Sequence, residues 1–87
     1  MVIGNHLRIL ILINLNPIMT LREIGRRLDL TERCVLRLIG ELEEVGYIYR
    51  EAYGRRNRYY IDKAAVIHSD DNVEIIMADF LAIVRYS

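Results

Sequence analysis

The chain has 87 residues, no net charge at neutral pH, and an apolar fraction of 53%. This length allows one domain, residues 1–87, and the apolar fraction is high enough to suggest that part of the surface is covered by a second copy. No apolar run reaches the length of a membrane span, none resembles a signal peptide, and the single cysteine excludes an internal disulfide, so we expect a cytoplasmic protein.

Charge is distributed unevenly along this neutral chain. Residues 1–63 contain 11 basic and 8 acidic residues, whereas the remainder has an excess of three acids. A local basic surface is therefore compatible with a net charge of zero.

The first predicted element is a helix that includes the apolar stretch 7–15. Asn5 can cap its start, and Pro17 ends it because a residue before proline avoids helical backbone angles. A run this short also fits a strand. We favour a helix that is apolar on nearly every side and is buried between its own core and a partner.

A second helix is predicted to begin at Thr20, because Thr20 and Glu23 form a capping box. The apolar residues of this helix share one face, and three arginines lie on the other. The apolar residues are Leu21, Ile24 and Leu28, and the arginines are Arg22, Arg26 and Arg27. Gly25 lies beside the apolar face, where the lack of a side chain would let another helix cross closely.

A third helix is predicted to follow a short turn, with Thr31 as its cap and Gly46 at its end. Its apolar stripe consists of Val35, Leu38, Ile39, Leu42 and Val45. The opposite face carries Thr31, Glu32, Arg33, Leu36, Arg37 and Gly40. Helical geometry therefore separates a face for the core from a face that is free to contact a ligand.

After Gly46 the period of the pattern changes to two, which predicts a β-hairpin over residues 47–62. Its tip, residues 53–57, is basic and contains Gly54. We expect four tyrosines of the hairpin to form cross-strand pairs rather than to stack on single-stranded bases; they are Tyr47, Tyr49, Tyr59 and Tyr60.

A last helix is predicted over residues 72–86, after a short polar stretch, 68–72. Its apolar face is too broad for one small domain to bury, so we expect this helix and the first helix to form a two-fold dimer interface. The residues assigned to this interface are Leu10, Ile13, Ile76, Met77, Phe80, Leu81 and Val84.

Residues 20–62 resemble the winged helix-turn-helix of MarR-like transcriptional regulators, to which ArsR-like regulators are related. The segments that carry the resemblance are 21–28, 30–39, 42–48 and 54–59. It implies an α+β, mostly helical fold, with a helix-turn-helix at 20–46 and a two-stranded wing at 47–62, followed by the dimerisation helix at 72–86.

The resemblance also implies that residues 31–37 enter the major groove of DNA and that the wing tip contacts the backbone or the minor groove. From the residues themselves, Arg33 and Arg37 could pair with guanine, and Leu36, where a polar residue is expected, could contact a thymine methyl. The candidate DNA-binding residues are Thr31, Glu32, Arg33, Leu36, Arg37, Arg22, Arg55, Arg56, Asn57 and Arg58.

A simpler interpretation remains open for each group of arginines. Those of the third helix could pair with Glu32 and Glu41 as a solvated face, and those of the wing could form a solubilising turn. We favour contact with phosphate or the minor groove for the wing, with Arg56 at its tip as the expected phosphate ligand and insertion into a narrow minor groove as the alternative.

Other kinds of site find little support in the sequence. Cys34, His6 and His68 are too far apart in sequence to predict a metal site, so no metal and no cofactor are expected. Cys34 could be a redox switch or, more simply, a small residue in a helix contact. No catalytic motif is present, so we expect no enzymatic activity.

These observations predict a homodimer that binds double-stranded DNA in a sequence-specific manner and regulates transcription. Repression is the simplest mechanism, although activation stays open. The chain is too short for the extra helices that frame an effector pocket in longer relatives. The main alternative is a winged helix that contacts only proteins, and RNA binding comes third.

Overall fold

The computed structural model describes residues 4–68 and 72–85, which form four helices and two antiparallel sheets of two strands each. The helices are α1 (Gly4–Leu15), α2 (Leu21–Leu28), α3 (Glu32–Glu44) and α4 (Met77–Arg85). The strands are β1 (Ile48–Tyr53), β2 (Arg56–Ile61), β3 (Val66–His68) and β4 (Glu74–Ile76). This confirms the predicted α+β, mostly helical fold class. None of the helices in these ranges is long and apolar enough to cross a membrane.

Helix α1 confirms the interpretation of the first apolar stretch as a helix, which ends at Leu15, before Asn16 and Pro17. It buries Ile9, Leu10 and Ile13 in the core, together with His6. Leu15 at its end is 70% exposed. The helix therefore serves the protomer's own core along one side and leaves apolar surface at its C-terminal end.

Both threonine caps form as predicted. Thr20 Oγ1 accepts a hydrogen bond of 3.1 Å from Glu23 N, and Thr31 Oγ1 accepts one of 3.1 Å from Cys34 N. Each bond satisfies a backbone donor that the first turn of a helix leaves unpaired. The caps thus fix where α2 and α3 begin, and a turn of three residues separates the end of α2 from the start of α3.

Gly25 lets α3 approach closely, as predicted, and it also makes room for the backbone of the preceding turn. A Cβ atom at this position would lie 2.5 Å from the carbonyl oxygen of Leu30 and 3.6 Å from Val35 Cγ2. The closest neighbour is therefore the backbone of the turn between α2 and α3, rather than a side chain of a crossing helix. Leu30 N donates to Gly25 O at 2.8 Å, and Asp29 adopts the left-handed conformation with φ 58°.

The core lies between the first three helices, the base of the wing and α4. It buries every predicted apolar residue of α3 except Val45, which is 51% exposed. The prediction for Val45 was wrong because α3 ends at Glu44, and Val45 is its C-terminal cap. Gly46 follows with φ 82°, a left-handed conformation that suits glycine at the end of a helix.

Strands β1 and β2 form the predicted wing, with a tighter tip than expected. Tyr53 pairs with Arg56, so only Gly54 and Arg55 form the turn. Gly54 has φ 61°, and a glycine with positive φ at the first turn position is typical of a type II′ hairpin. Arg56 and Asn57, assigned to the tip by the sequence, therefore belong to β2.

The predicted last helix, 72–86, is wrong in its first part. Residues 74–76 form β4, which pairs with β3 in the register Val66 with Ile76 and His68 with Glu74. The hydroxyl of Tyr47 donates to Val66 O at 2.9 Å and so attaches this second hairpin to the base of the wing. Residues 69–71 and 86 lie outside the described residues.

Several residues assigned to the dimer interface lie in the core of the protomer instead. Leu10, Ile13, Met77 and Leu81 are buried within one chain, and Phe80 is half-buried against the same core. Met77 N donates to Ala65 O at 2.8 Å, which holds the start of α4 against the preceding segment. The expectation that the last helix lacks cover within its own protomer is therefore wrong for its buried residues.

Candidate DNA-binding surface

The face of α3 opposite the core is exposed along its length, as the sequence predicted. Its six residues are Thr31, Glu32, Arg33, Leu36, Arg37 and Gly40, and all of them are exposed. Leu36 is 45% exposed and is the one large apolar side chain among these six residues.

Arg37 is held by an acid one helical turn away. Its Nη1 donates to both carboxylate oxygens of Glu41 at 3.3 Å, and its Nη2 lies 3.9 Å from Cys34 Sγ. The pair with Glu41 corresponds to the simpler interpretation of this face. The side chain of Arg37 is nevertheless 61% exposed, and a pair this open to water is weak enough to exchange for another partner.

Glu41 is itself fixed from the side of the core. His6 Nε2 of α1 lies 2.8 Å from Glu41 Oε1, so the carboxylate bridges a buried histidine and an exposed arginine. The hydrogen bond from His6 and the charge of Arg37 lower the pKa of Glu41, against a smaller effect of desolvation. Glu41 therefore remains charged at neutral pH and keeps both contacts.

Arg33 and Arg55 differ from Arg37, because neither forms an ion pair with any described residue. Arg33 lies on the exposed face of α3, and Arg55 lies in the turn of the wing. Their guanidinium groups are thus available for a partner outside the chain.

Arg56 is bound within the protein. Its Nη1 lies 2.8 Å from Glu23 Oε1 of α2 and donates to Ile18 O at 3.2 Å. The hydrogen bond from Arg56 is the main cause that lowers the pKa of Glu23, and hydrogen bonds with Thr20 act in the same direction. The arginine that the sequence favoured as the phosphate ligand therefore already has an anionic partner.

Arg58 lies on the aromatic side of the wing. Its Cζ is 5.5 Å from the ring centroid of Tyr60, which stacks on Tyr49 with centroids 5.0 Å apart and an interplanar angle of 12°. Tyr60 donates from its hydroxyl to Glu51 at 3.2 Å. This arrangement matches the predicted structural use of the tyrosines as cross-strand pairs.

The candidate residues fall into two neighbouring groups. A cleft between the wing and the helix-turn-helix is lined by Arg22, Glu32, Arg55, Arg56 and Asn57, together with Met19, Thr20, Leu21 and Tyr59. The exposed side of α3 brings Thr31, Arg33, Leu36 and Arg37 together around Cys34. Of the ten candidates, only Arg58 lies outside both groups.

Sequence reasoning missed the two contacts that organise this surface, His6 with Glu41 and Arg56 with Glu23. Glu41 was considered only as a partner of Arg37, and Glu23 only as part of the capping box. Among the described residues, no group of three or more histidine, cysteine, aspartate or glutamate side chains could hold a metal ion.

Known structures share this fold over nearly the whole chain. A MarR family transcription regulator superposes with a TM-score of 0.66 at 19% identity, over 98% of this chain and 50% of its own. The transcriptional regulator SlyA superposes with a TM-score of 0.65 at 21% identity, over 95% of this chain and 51% of its own. A mutant of S. aureus MepR superposes with a TM-score of 0.62 at 19% identity, over 97% of this chain and 60% of its own. The chain thus spans about half the length of the first two structures.

A comparison with curated proteins gives no match. Residues 4–49 match the family described as winged helix-turn-helix DNA-binding, and this range runs from α1 through the helix-turn-helix to the first residues of the wing. The match covers more than half of the chain, and the structure has α3 and the wing in the arrangement of the MarR family regulator. The chain belongs to the winged helix-turn-helix DNA-binding family.

Proposed function

We propose that this protein is a homodimeric transcriptional regulator that binds double-stranded DNA in a sequence-specific manner and represses by occluding polymerase. The observation that carries the proposal is the exposed face of α3, on which Arg33, Leu36 and Arg37 project away from the core. A face of this composition combines donors for guanine with an apolar contact for thymine. Such a regulator would act in the cytoplasm, where it can reach DNA.

Base readout requires Arg37 to leave Glu41. The Arg37–Glu41 pair is exposed, so water and salt screen it. A guanine in the major groove offers two acceptors that match the fork of the guanidinium, in a site from which water is partly excluded. Replacing the contact with Glu41 by a contact with guanine is therefore favourable for Arg37. In the free protein, Glu41 keeps the side chain of Arg37 in a defined position.

Dimerisation is assigned to the surface where α1 and α4 meet. A groove there is lined by Ile11, Leu15 and Val84 together with Asn14 and Lys63, with the buried Leu81 beneath it, and Ile83 on α4 is 62% exposed. A two-fold axis through this surface would present both recognition helices to one side of the DNA. Half-sites on a pseudo-palindrome would then lie about 34 Å apart, one turn of the double helix.

The proposal is tested by selecting DNA sites from random duplexes and measuring affinity for the best site at two salt concentrations. We expect a selected pseudo-palindrome, tight binding at low salt and weaker binding at high salt. The matched variant carries Arg33→Ala and Arg37→Ala, which should remove sequence preference. If the unmodified protein binds no duplex at either salt concentration, the winged helix contacts proteins instead, and the proposal is wrong.

A further inference from the structure

The wing is attached to the helix-turn-helix at two points along β2. Near its base, Tyr59 is buried, and its backbone N–H donates to Pro17 O at 2.8 Å. Next to the turn, Arg56 binds Glu23 Oε1 and Ile18 O with the same nitrogen, Nη1. Both points contact the segment that connects α1 to α2 or the first turn of α2.

We propose that Arg56 is a positioning residue that fixes the wing against α2, and that Arg55 is the wing arginine that contacts a DNA phosphate. This inference rests on the proposed function for its second half only. The first half concerns the free protein and can be tested without DNA.

The distance between the two attachment points explains why the second one matters. Arg56 precedes Tyr59 by three residues and lies nearer the turn. At about 3.3 Å per residue, this separation corresponds to about 10 Å of strand. Arg50 of β1, which is paired with Tyr59, also binds Glu43 of α3 at 3.3 Å, so this contact lies at the level of Tyr59. Without the Arg56 contact, the ion pairs and hydrogen bonds of the described residues would leave the turn end of the two-stranded ribbon held by its cross-strand bonds. Such ribbons are marginal alone and twist readily, so the tip would move relative to α3.

Glu23 is a suitable anchor because it is itself held in place. Its backbone N–H donates to Thr20 Oγ1, the cap of α2, so the backbone of Glu23 belongs to the fixed first turn of that helix. The bond from Arg56 to Glu23 fixes the wing relative to α2. The short turn between α2 and α3 in turn fixes α2 relative to α3, so the wing tip is held in a defined position relative to the helix proposed to read DNA.

Charge also assigns different roles to the two neighbouring arginines. If Arg56 moved to a phosphate, Glu23 would remain as an unpaired carboxylate at the edge of the same cleft, where it would repel the DNA backbone. If Arg56 stays, Glu23 is neutralised. Arg55 has no ion pair within the described residues and lines the same cleft, so it can bind phosphate at no such cost.

The first test measures amide hydrogen exchange in the free protein for residues 52–57. Arg56→Gln and Glu23→Gln should each increase exchange at the wing tip, and the double variant should match either single variant. Arg55→Gln should leave exchange unchanged. If neither Arg56→Gln nor Glu23→Gln changes exchange, Arg56 does not position the wing.

The second test measures affinity for the selected DNA site as a function of salt. Arg55→Gln should flatten the plot of log affinity against log salt by about 0.9 per subunit, hence by about 2 for a dimer. Arg56→Gln should keep the slope and weaken binding by roughly two- to fivefold per subunit, the range that an exposed ion pair supports.

Glu23→Gln gives the sharpest distinction, because the two roles of Arg56 predict opposite signs. If Glu23 and Arg56 form a positioning pair, Glu23→Gln weakens DNA binding as much as Arg56→Gln does. The double variant then loses no more affinity than either single variant. If Arg56 binds phosphate, Glu23→Gln releases it and strengthens binding, and Arg56→Gln flattens the slope by about 2, which would overturn the proposal.

Glu51→Gln is the matched control for charge. Glu51 is an acid on β1 of the wing, whereas Glu23 lies on α2, and it accepts a hydrogen bond from Tyr60, which glutamine can still accept. Removing this charge should strengthen binding slightly by reducing general repulsion, so weakening by Glu23→Gln cannot be a charge effect. If the unmodified protein binds no duplex, the proposed function and the role of Arg55 both fail, whereas the exchange experiment still decides the role of Arg56.

Discussion

His6 Nε2 lies 2.8 Å from Glu41 Oε1, across the contact between α1 and α3, the helix proposed to read DNA. His6 is buried, whereas Glu41 reaches the surface and binds Arg37 with its two oxygens. The side chain expected to contact bases is therefore held, through one carboxylate, by a residue of the core. This relationship has consequences for both DNA affinity and stability.

Glu41→Gln should strengthen DNA binding. Glutamine can still accept the hydrogen bond from His6, but it no longer holds Arg37 by charge, so less is lost when Arg37 moves to a base. We expect a gain of roughly two- to fivefold in affinity for the best site, measured by fluorescence anisotropy. Glu44→Gln, an exposed acid of the same helix, is the control and should give a smaller gain. Equal gains from both variants would show that only net charge matters.

Stability should fall in acid, because Glu23 and Glu41 both have a pKa below the ordinary value of 4.5. The cause is mainly Arg56 for Glu23 and His6 for Glu41. The unfolded chain then binds more protons than the folded one between the lowered pKa values and 4.5, so the free energy of unfolding decreases as pH falls through this window. Urea denaturation on both sides of pH 4.5 measures this slope.

The variant with Glu23→Gln and Glu41→Gln provides the comparison for the acid effect. It should show a shallower dependence of unfolding free energy on pH below 4.5 than the unmodified protein. The two profiles should run parallel above this window. Identical profiles at all pH values would mean that these two carboxylates do not contribute to acid sensitivity.

Arg37→Ala should weaken binding to the best DNA site by about 1 to 3 kcal/mol and relax preference at one position in each half-site. The reason is that a guanidinium in the groove reads one base pair, whereas a phosphate contact is indifferent to sequence. Site selection with the variant measures the preference. Arg27→Ala, on the exposed side of α2, should leave preference unchanged. An equal loss on every duplex would identify Arg37 as a phosphate ligand.

The parts of this surface that sequence could predict are those set by local interactions. Thr20 and Thr31 each bond a backbone N–H three residues away, so their signal is contained in a short segment. The exposed face of α3 follows from helical periodicity in the same way. The pairs that orient the arginines are different, because His6 and Glu41 are 35 residues apart and Glu23 and Arg56 are 33 apart.

The wrong prediction for residues 74–76 has the same physical origin. Ile75 and Ile76 fit the apolar stripe of a helix that continues to Val84, so periodicity alone favours one long helix. In the structure these residues pair with Val66 and Ile67, and Tyr47 holds that hairpin through Val66 O. A partner strand eight or more residues away thus outweighs the local helical pattern.

Leu15→Lys should prevent dimerisation, because Leu15 borders the groove between α1 and α4 and is 70% exposed in one protomer. Lys63 lines the same groove, so the variant would bury a second ammonium group near a like charge. Sedimentation should show a dimer for the unmodified protein and a folded monomer for the variant. Val45→Lys is the control, because Val45 is also exposed but lies at the end of α3. A dimer that survives Leu15→Lys would place the interface elsewhere.

Two glycines of the helix-turn-helix should respond to alanine in opposite ways. A Cβ atom at Gly25 would lie 2.5 Å from Leu30 O, a backbone atom that can move only if the turn between α2 and α3 opens, whereas at Gly40 it would meet nothing within 4 Å. Gly25→Ala should therefore lower the free energy of unfolding by about 1 to 3 kcal/mol, the usual cost of overpacking. Gly40→Ala should raise it by about 0.5 to 1 kcal/mol, because alanine loses less conformational freedom inside a helix. Urea denaturation measures both, and a stabilising Gly25→Ala would show that the turn is not packed as tightly as described.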